Sequence, residues 1–171
     1  MESVYIAGIG MTVFGRHLER TLDDLAGEAL RAALADAGAT TPDLEAAFYS
    51  GMTNGSLQGQ IAIPGQVIFS KIGIEGVPAF NVENACASGS SALHLAAQYI
   101  RSGACDIALA IGAEKMNIPD KAKAFAIFDA GWDVSQVERN FELLVKLGDG
   151  VVPPPGSEST RPYSRFMSIY A

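Results

Sequence analysis

The 171 residues suit one domain of ordinary size, and 49% apolar with only 18% charged residues is enough for a buried core, which excludes a largely disordered chain. A formal net charge of −7, from 12 Lys and Arg against 19 Asp and Glu, provides no basic footprint for nucleic acid. No apolar run reaches the roughly 18 residues of a membrane span. MESVYIAGIG lacks the charged stretch and cleavage site of a signal peptide, so a cytoplasmic address is expected.

Val4 to Ile9, a short run with β-branched residues closing on glycine, predicts a strand buried on both faces. A polar loop holding Arg16 and His17 follows. Thr21 then precedes LDDLAGEALRAALADAG, where Leu22, Leu25, Ala29, Ala33 and Leu34 recur at helical spacing and Gly38 supplies the stop. Ala46 to Ser50 predicts a second strand and Ile61 to Ile72 a second helix, with the turn-forming GMTNGSLQG between them. Ala79 to Glu83 predicts a third strand, Cys86 to Arg101 a third helix, and Asp106 to Ala113 (DIALAIGA) a fourth strand. Repeated strand, helix, strand units imply an α/β fold, a parallel sheet with helices on its faces.

Beyond Glu114 the character changes. Asn117 to Phe141 mixes Lys, Asp and aromatic residues, and Val151 to Arg161 (VVPPPGSESTR) is a Pro, Gly and Ser loop, so the sheet is not expected to continue there. The closing FMSIYA reads as the first turns of a helix with no stop signal, which suggests a fragment or a truncated product.

Cys86 falls where an apolar strand ends and a helix of small residues begins. Unpaired N–H groups at a helix start carry partial positive charge and favour a thiolate, which is a nucleophile. In an open parallel sheet, ligands bind at the carboxyl ends of the strands, where Cys86 is placed. The small residues after it, Ala87, Ser88, Gly89, Ser90 and Ser91, let a bulky substrate approach and leave backbone N–H groups for an oxyanion. The alternative is that Cys86 is a small buried hydrophobe, as many free cysteines are.

The other candidates carry less. Cys105 opens a strand far from that mouth and reads as structural. With a helix of about 24 Å between them, the two cysteines cannot pair, so both are expected as free thiols. His94 lies about 12 Å along the helix from Cys86, beyond a general base's reach, and reads as packed or capped. His17 is on the active-site side of the sheet with no motif to support it. Glu83 and Asn84 either orient the cysteine or satisfy a turn. Glu114, Lys115 and Met116 close the fourth strand and either face the ligand cleft or are solvated.

NVENACASGSSAL, Asn81 to Leu93, followed by DIALAIGAEKM, Asp106 to Met116, resembles the thiolases, most closely those of sterol-carrier-protein-2 type and the acetyl-CoA acetyltransferases. The resemblance implies the thiolase-like layered α/β/α fold with a mixed, mainly parallel sheet, of which residues 1–116 are part of the N-terminal core and residues 117–171 the truncated start of a loop domain that closes over coenzyme A. It implies an acyl-CoA acyltransferase that joins or splits acyl-CoA molecules by Claisen chemistry, in lipid metabolism such as fatty-acid β-oxidation, through a thioester on Cys86. Coenzyme A thioesters enter as substrate, with no covalently bound cofactor and no metal. Met116, Ser88 and Gly89 are the implied substrate-binding residues, Met116 as the methionine that borders the partner's site.

The family's activating histidine, second cysteine and oxygen-binding His or Asn come from its C-terminal half, so this chain is not expected to complete the reaction alone. Dimer formation through the Ala79 to Val82 edge, or association with a complementing thiolase chain, is the implied partnership. Without the second half, the sheet and one helical layer are expected to expose apolar surface. Two other readings stand beside this one. The first is a non-catalytic thiolase-like subunit that binds acyl-CoA or lipid and works with a partner. The second is a ketosynthase-like condensing enzyme, against which the EKM and ACASG contexts argue.

Overall fold

The computed structural model describes residues 3–131 and 133–148 of the chain. At its centre is β1, Ala46–Ser50, whose five residues are all buried because neighbours flank both edges and helices cover both faces. Such a strand needs no polar alternation, and AAFYS has little: Ala46 and Phe48 enter one apolar layer, Ala47 and Tyr49 the other. β2, Ala79–Val82, and β3, Ala108–Gly112, flank it in parallel in the order β2-β1-β3, with Phe48 beside Phe80 on one side and Ala110 on the other.

Two helices cover the face that carries Tyr49. α1, Leu22–Ala37, begins at a capping box in which Thr21 Oγ1 accepts from the Asp24 N–H at 3.2 Å and Asp24 Oδ2 accepts from the Thr21 N–H at 2.9 Å. It stops at Gly38, whose φ of 63° is the left-handed cap that glycine takes without a Cβ penalty. α1 places Ala26 and Leu30 in the apolar layer, and α3, Pro64–Ile72, adds Ile68 and Phe69. Burial pushes the Tyr49 hydroxyl up to about 12, so it remains a donor, to the Ala113 carbonyl at 3.1 Å, while accepting from the Asn54 amide. On the other face α4, Ser88–Arg101, lies across all three strands and buries Ala92 and Ala96. Three aromatic rings pack there, Phe48 stacked on Phe80 at 4.7 Å and Tyr99 edge-on to both. The architecture is three layers, α/β/α, with a parallel sheet.

Three features differ from the sequence expectations. Val4 to Ile9 is not a strand. It runs beside α1 so closely that a Cβ at Gly8 would fall 2.3 Å from the Ala33 carbonyl oxygen, and Ile9 donates its N–H to Asp36 at 2.9 Å. Tyr5 and Ile6 are exposed rather than buried on two faces. Apolar composition expresses a strand preference, but a ladder needs a neighbour, and no described strand pairs with this segment. The second helix starts at Pro64 rather than Ile61, because proline suits the first helical position and disfavours helical backbone in the residue before it. GMTNGSLQG holds a short helix of its own, α2, Asn54–Gln58.

The chain divides into two compact units between Pro119 and Asp120. In the second, α5, Lys121–Asp129, is capped by Asp120, which accepts from the Lys123 N–H at 3.0 Å, and α6, Val137–Leu147, carries Val137, Phe141 and Leu144 at helical spacing. Neither helix is among the elements expected from sequence, where Asn117 to Phe141 reads only as a mixed segment outside the sheet. The VVPPPGSESTR loop and the FMSIYA turns lie outside the described residues. Among those described, no helix is long and apolar enough to cross a membrane.

Candidate active site

The site is built where β2 runs out. Val82 is the last buried residue of the strand; Glu83 and Asn84 follow, then a 3₁₀ turn over Ala85–Ala87, then α4. Cys86 sits in that turn and is exposed, so it is not a small buried hydrophobe. It occupies the carboxyl end of a parallel strand, the side on which open α/β sheets bind ligands.

The turn is held by side chains that flank the cysteine. Ala85 has a φ of 46°, left-handed backbone that residues with a Cβ rarely adopt. The Glu83 carboxylate accepts from the Ala85 N–H at 2.7 Å. Ser88 is buried; its hydroxyl donates to the Ala85 carbonyl at 2.7 Å and accepts from the Asn84 N–H at 2.9 Å. Asn84 Nδ2 donates to Ser91 Oγ at 2.9 Å, tying the turn to α4. Glu83 and Asn84 therefore serve the turn.

Gly89 is exposed, and a Cβ there would meet only Ser50 Oγ, at 4.0 Å, so no other described residue beyond its helix neighbours comes within 4 Å of that point at the start of α4. Ser50 itself is buried at the end of β1 and donates to the Ile111 carbonyl at 3.3 Å. The structure thus places Cys86 in the turn and Ser88 and Gly89 in the first turn of α4 directly after it. Met116 follows β3, across β1 from that turn, and is half-buried.

Glu114, which is exposed, and Lys115, half-buried, both bond to other parts of the chain rather than to solvent alone. The Glu114 carboxylate accepts from the N–H groups of Met52 and Thr53 and from the Thr53 hydroxyl. The Lys115 ammonium donates to the carbonyls of Leu18, at 2.8 Å, and Arg20. Two backbone loops with orphan polar groups lie beside this strand end, and a charge on each sign of side chain satisfies them. The effect is to fix the segment that leads into Met116. A cavity of about 420 Å³ lies beside these residues, lined by Arg20, Thr21, Asn54 and Lys71 among others, on the α1 and α3 side of the sheet and away from Cys86.

Neither histidine bonds to Cys86 among the described residues. His17 donates through its ring to the Val13 carbonyl at 2.7 Å. His94 is exposed rather than packed, because Ala92 and Ala96 take the sheet-facing positions of α4 and leave the residue between them pointing outward. Cys105 is buried and free. Burial, with the Glu45 and Asp106 carboxylates nearby, pushes its thiol up. No group of three or more His, Cys, Asp or Glu is placed to hold a metal ion among the described residues.

Comparison with known proteins gives a consistent picture. The family model "Thiolase, N-terminal domain" matches residues 4–141. Sterol carrier protein 2 of Gallus gallus is 38% identical over 125 residues, covering 72% of this chain and 22% of that protein. The benzoylsuccinyl-CoA thiolase subunit BbsB of Thauera aromatica is 38% identical over 115 residues, 66% of this chain and 28% of that one. Among solved structures, acetyl-CoA acetyltransferase from Syntrophomonas wolfei superposes with a TM-score of 0.53 at 27% identity, covering 61% of this chain and 27% of that one. The chain spans 21–34% of the length of the curated relatives it matches.

Proposed function

Because the chain belongs to the thiolase family, we propose that it is the N-terminal part of an acyl-CoA acyltransferase in which Cys86 accepts the acyl group. The observation that carries this reading is the exposed thiol at the carboxyl end of β2, on a side-chain-held turn ahead of a helix with an open start. The Cys86 thiolate adds to the thioester carbonyl of an acyl-CoA, the carbonyl carbon gains a bond to Sγ, and its bond to the coenzyme A sulfur breaks. Coenzyme A leaves as the thiol with the proton that the cysteine gave up. A second base removes a proton from the α carbon of a second acyl-CoA, that carbon bonds to the acyl carbon as its bond to Sγ breaks, and the Cys86 thiolate is regenerated, or the steps run in reverse as thiolytic cleavage. Backbone N–H groups at the start of α4 stabilise the oxyanion.

Neither histidine bonds to Cys86 among the described residues, so in this reading the activating base, the second cysteine and the oxygen-binding residue are supplied from outside these 171 residues, by the same protein or by a complementing chain. In this reading residues 117–171 begin the loop domain that closes over coenzyme A, Gly89 leaves room for the thioester, and Met116 borders the partner's site. The partner joins at β2, whose outer edge is unpaired among the described residues and whose Phe80, with Leu95 of α4, leaves an exposed apolar groove. The setting is cytoplasmic lipid metabolism.

Exchange of labelled coenzyme A into acyl-CoA reads the half-reaction. The complete protein should catalyse it, and Cys86→Ala should lose it by roughly a thousandfold or more. Equal exchange by the variant would overturn the assignment. The second reading, a non-catalytic subunit that binds acyl-CoA or lipid, draws on the subunit description of the Thauera aromatica relative. It predicts a rise in melting temperature with acyl-CoA and no exchange.

A further inference from the structure

We infer that Ser88 is a positioning residue for Cys86: its hydroxyl, together with the Glu83 carboxylate, holds Ala85 in the left-handed backbone that turns the cysteine out of the strand and onto the start of α4. This rests on Cys86 as the nucleophile, and it gives Ser88 a task on the backbone in place of contact with substrate. Ala85 is one of two non-glycine residues with a positive φ among those described, the other being Ile63. Backbone of that kind persists only where its surroundings over-determine it.

Here the over-determination is explicit. Three successive peptide groups lead from the strand to the cysteine, and two side chains pin all three. Ser88 Oγ accepts from the Asn84 N–H, at 2.9 Å, on the first. Glu83 Oε1 accepts from the Ala85 N–H, at 2.7 Å, on the second. Ser88 Oγ donates to the Ala85 carbonyl, at 2.7 Å, on the third, the peptide that carries the backbone nitrogen of Cys86 itself. The Ala87 N–H closes the turn on the Asn84 carbonyl at 2.9 Å. A hydroxyl has one proton to donate, and Ser88 has spent it on the backbone, in a buried position. Removing the hydroxyl frees the bonds around Ala85 to relax toward ordinary backbone, and the thiol moves with them.

The test is a cycle of Ser88→Ala, Ala85→Gly and the double variant in the complete protein, read by acyl transfer from acetyl-CoA and by iodoacetamide alkylation at Cys86. Ser88→Ala should slow both reactions roughly tenfold, the scale of a misplaced reacting atom, with the loss of acyl transfer in kcat rather than KM. Glycine reaches left-handed backbone without a clamp, so Ala85→Gly in the Ser88→Ala background should recover most of the loss. A merely structural serine would act through stability alone, so both rates in Ser88→Ala, taken per folded molecule from denaturant midpoints, would equal those of the wild type. An unchanged rate in Ser88→Ala, a double variant no faster than Ser88→Ala, or a loss confined to KM would overturn the inference. Wild-type protein that is alkylated at Cys86 but takes no acyl group would instead overturn the acyltransferase reading, and the alkylation series would still judge the role of Ser88.

Discussion

Cys86 stands just before the first turn of α4 and Cys105 just past its last, so one helix carries the same side chain in two surroundings. At the first end, the strand has ended, the backbone is turned outward by hydrogen bonds from Glu83 and Ser88, and the thiol meets solvent. At the second, the chain is about to enter β3, and the thiol packs into the apolar layer with Phe48 and Ala96. Residue type is constant across the comparison, so the difference in chemistry comes from burial and from which end of the strand each cysteine adjoins. The carboxyl end of β2 leaves Cys86 exposed, whereas Cys105, ahead of β3, is buried in the apolar layer that α4 covers.

The sharpest way to break the contrast is to exchange the residues. Cys86→Ser should reduce acyl transfer by about a thousandfold or more, while stability stays within about 0.5 kcal/mol because the side chain is exposed, as denaturant midpoints would register. Cys105→Ser should do the reverse: a hydroxyl placed in the apolar layer costs about 1–3 kcal/mol, and acyl transfer per folded molecule is unchanged.

Labelling sharpens the same contrast. Iodoacetamide at pH 7 should modify Cys86 well before Cys105, as mass mapping of the two peptides would follow. Because the Cys105 thiol is raised in the folded state, its contribution to stability is complete below the ordinary thiol range and is lost as pH rises through it. Wild-type protein should therefore lose stability above about pH 8.5 to a greater extent than Cys105→Ala does. Smallest of all, Ser91→Ala removes one partner of Asn84 and should cost about 0.5–1.5 kcal/mol by chemical denaturation.

Much of this layout was legible before the structure. β1 matched its expected bounds because a strand enclosed on both faces reads as an unbroken apolar run, and α1 was bracketed by Thr21 and Gly38, whose capping chemistry is local. The position of Cys86 between strand and helix was legible for the same reason. Partnership was not. Val4 to Ile9 has strand composition but pairs with no strand among the described residues, and composition is silent on neighbours. The latches formed by Glu114 on Thr53 and by Lys115 on Leu18 join segments some 60 and 97 residues apart, beyond any local pattern. The positive φ of Ala85 is likewise unreadable from an alanine, because it is imposed by Glu83 and Ser88. Ser88 reads from sequence as a small residue and, by resemblance, a substrate-binding one, whereas the bonds of its hydroxyl to the Asn84 N–H and the Ala85 carbonyl depend on a backbone that sequence does not reveal.

The contrast between the two thiols comes down to which of them carries the acyl group, Cys86 or Cys105. Complete protein incubated with acetyl-CoA, quenched in acid and digested at low pH to preserve thioesters, places the adduct by peptide mass. An acetyl group is expected on the peptide containing Cys86, released by hydroxylamine and absent from the Cys105 peptide. An adduct on Cys105, or on another side chain with Cys86 unmodified, would contradict it.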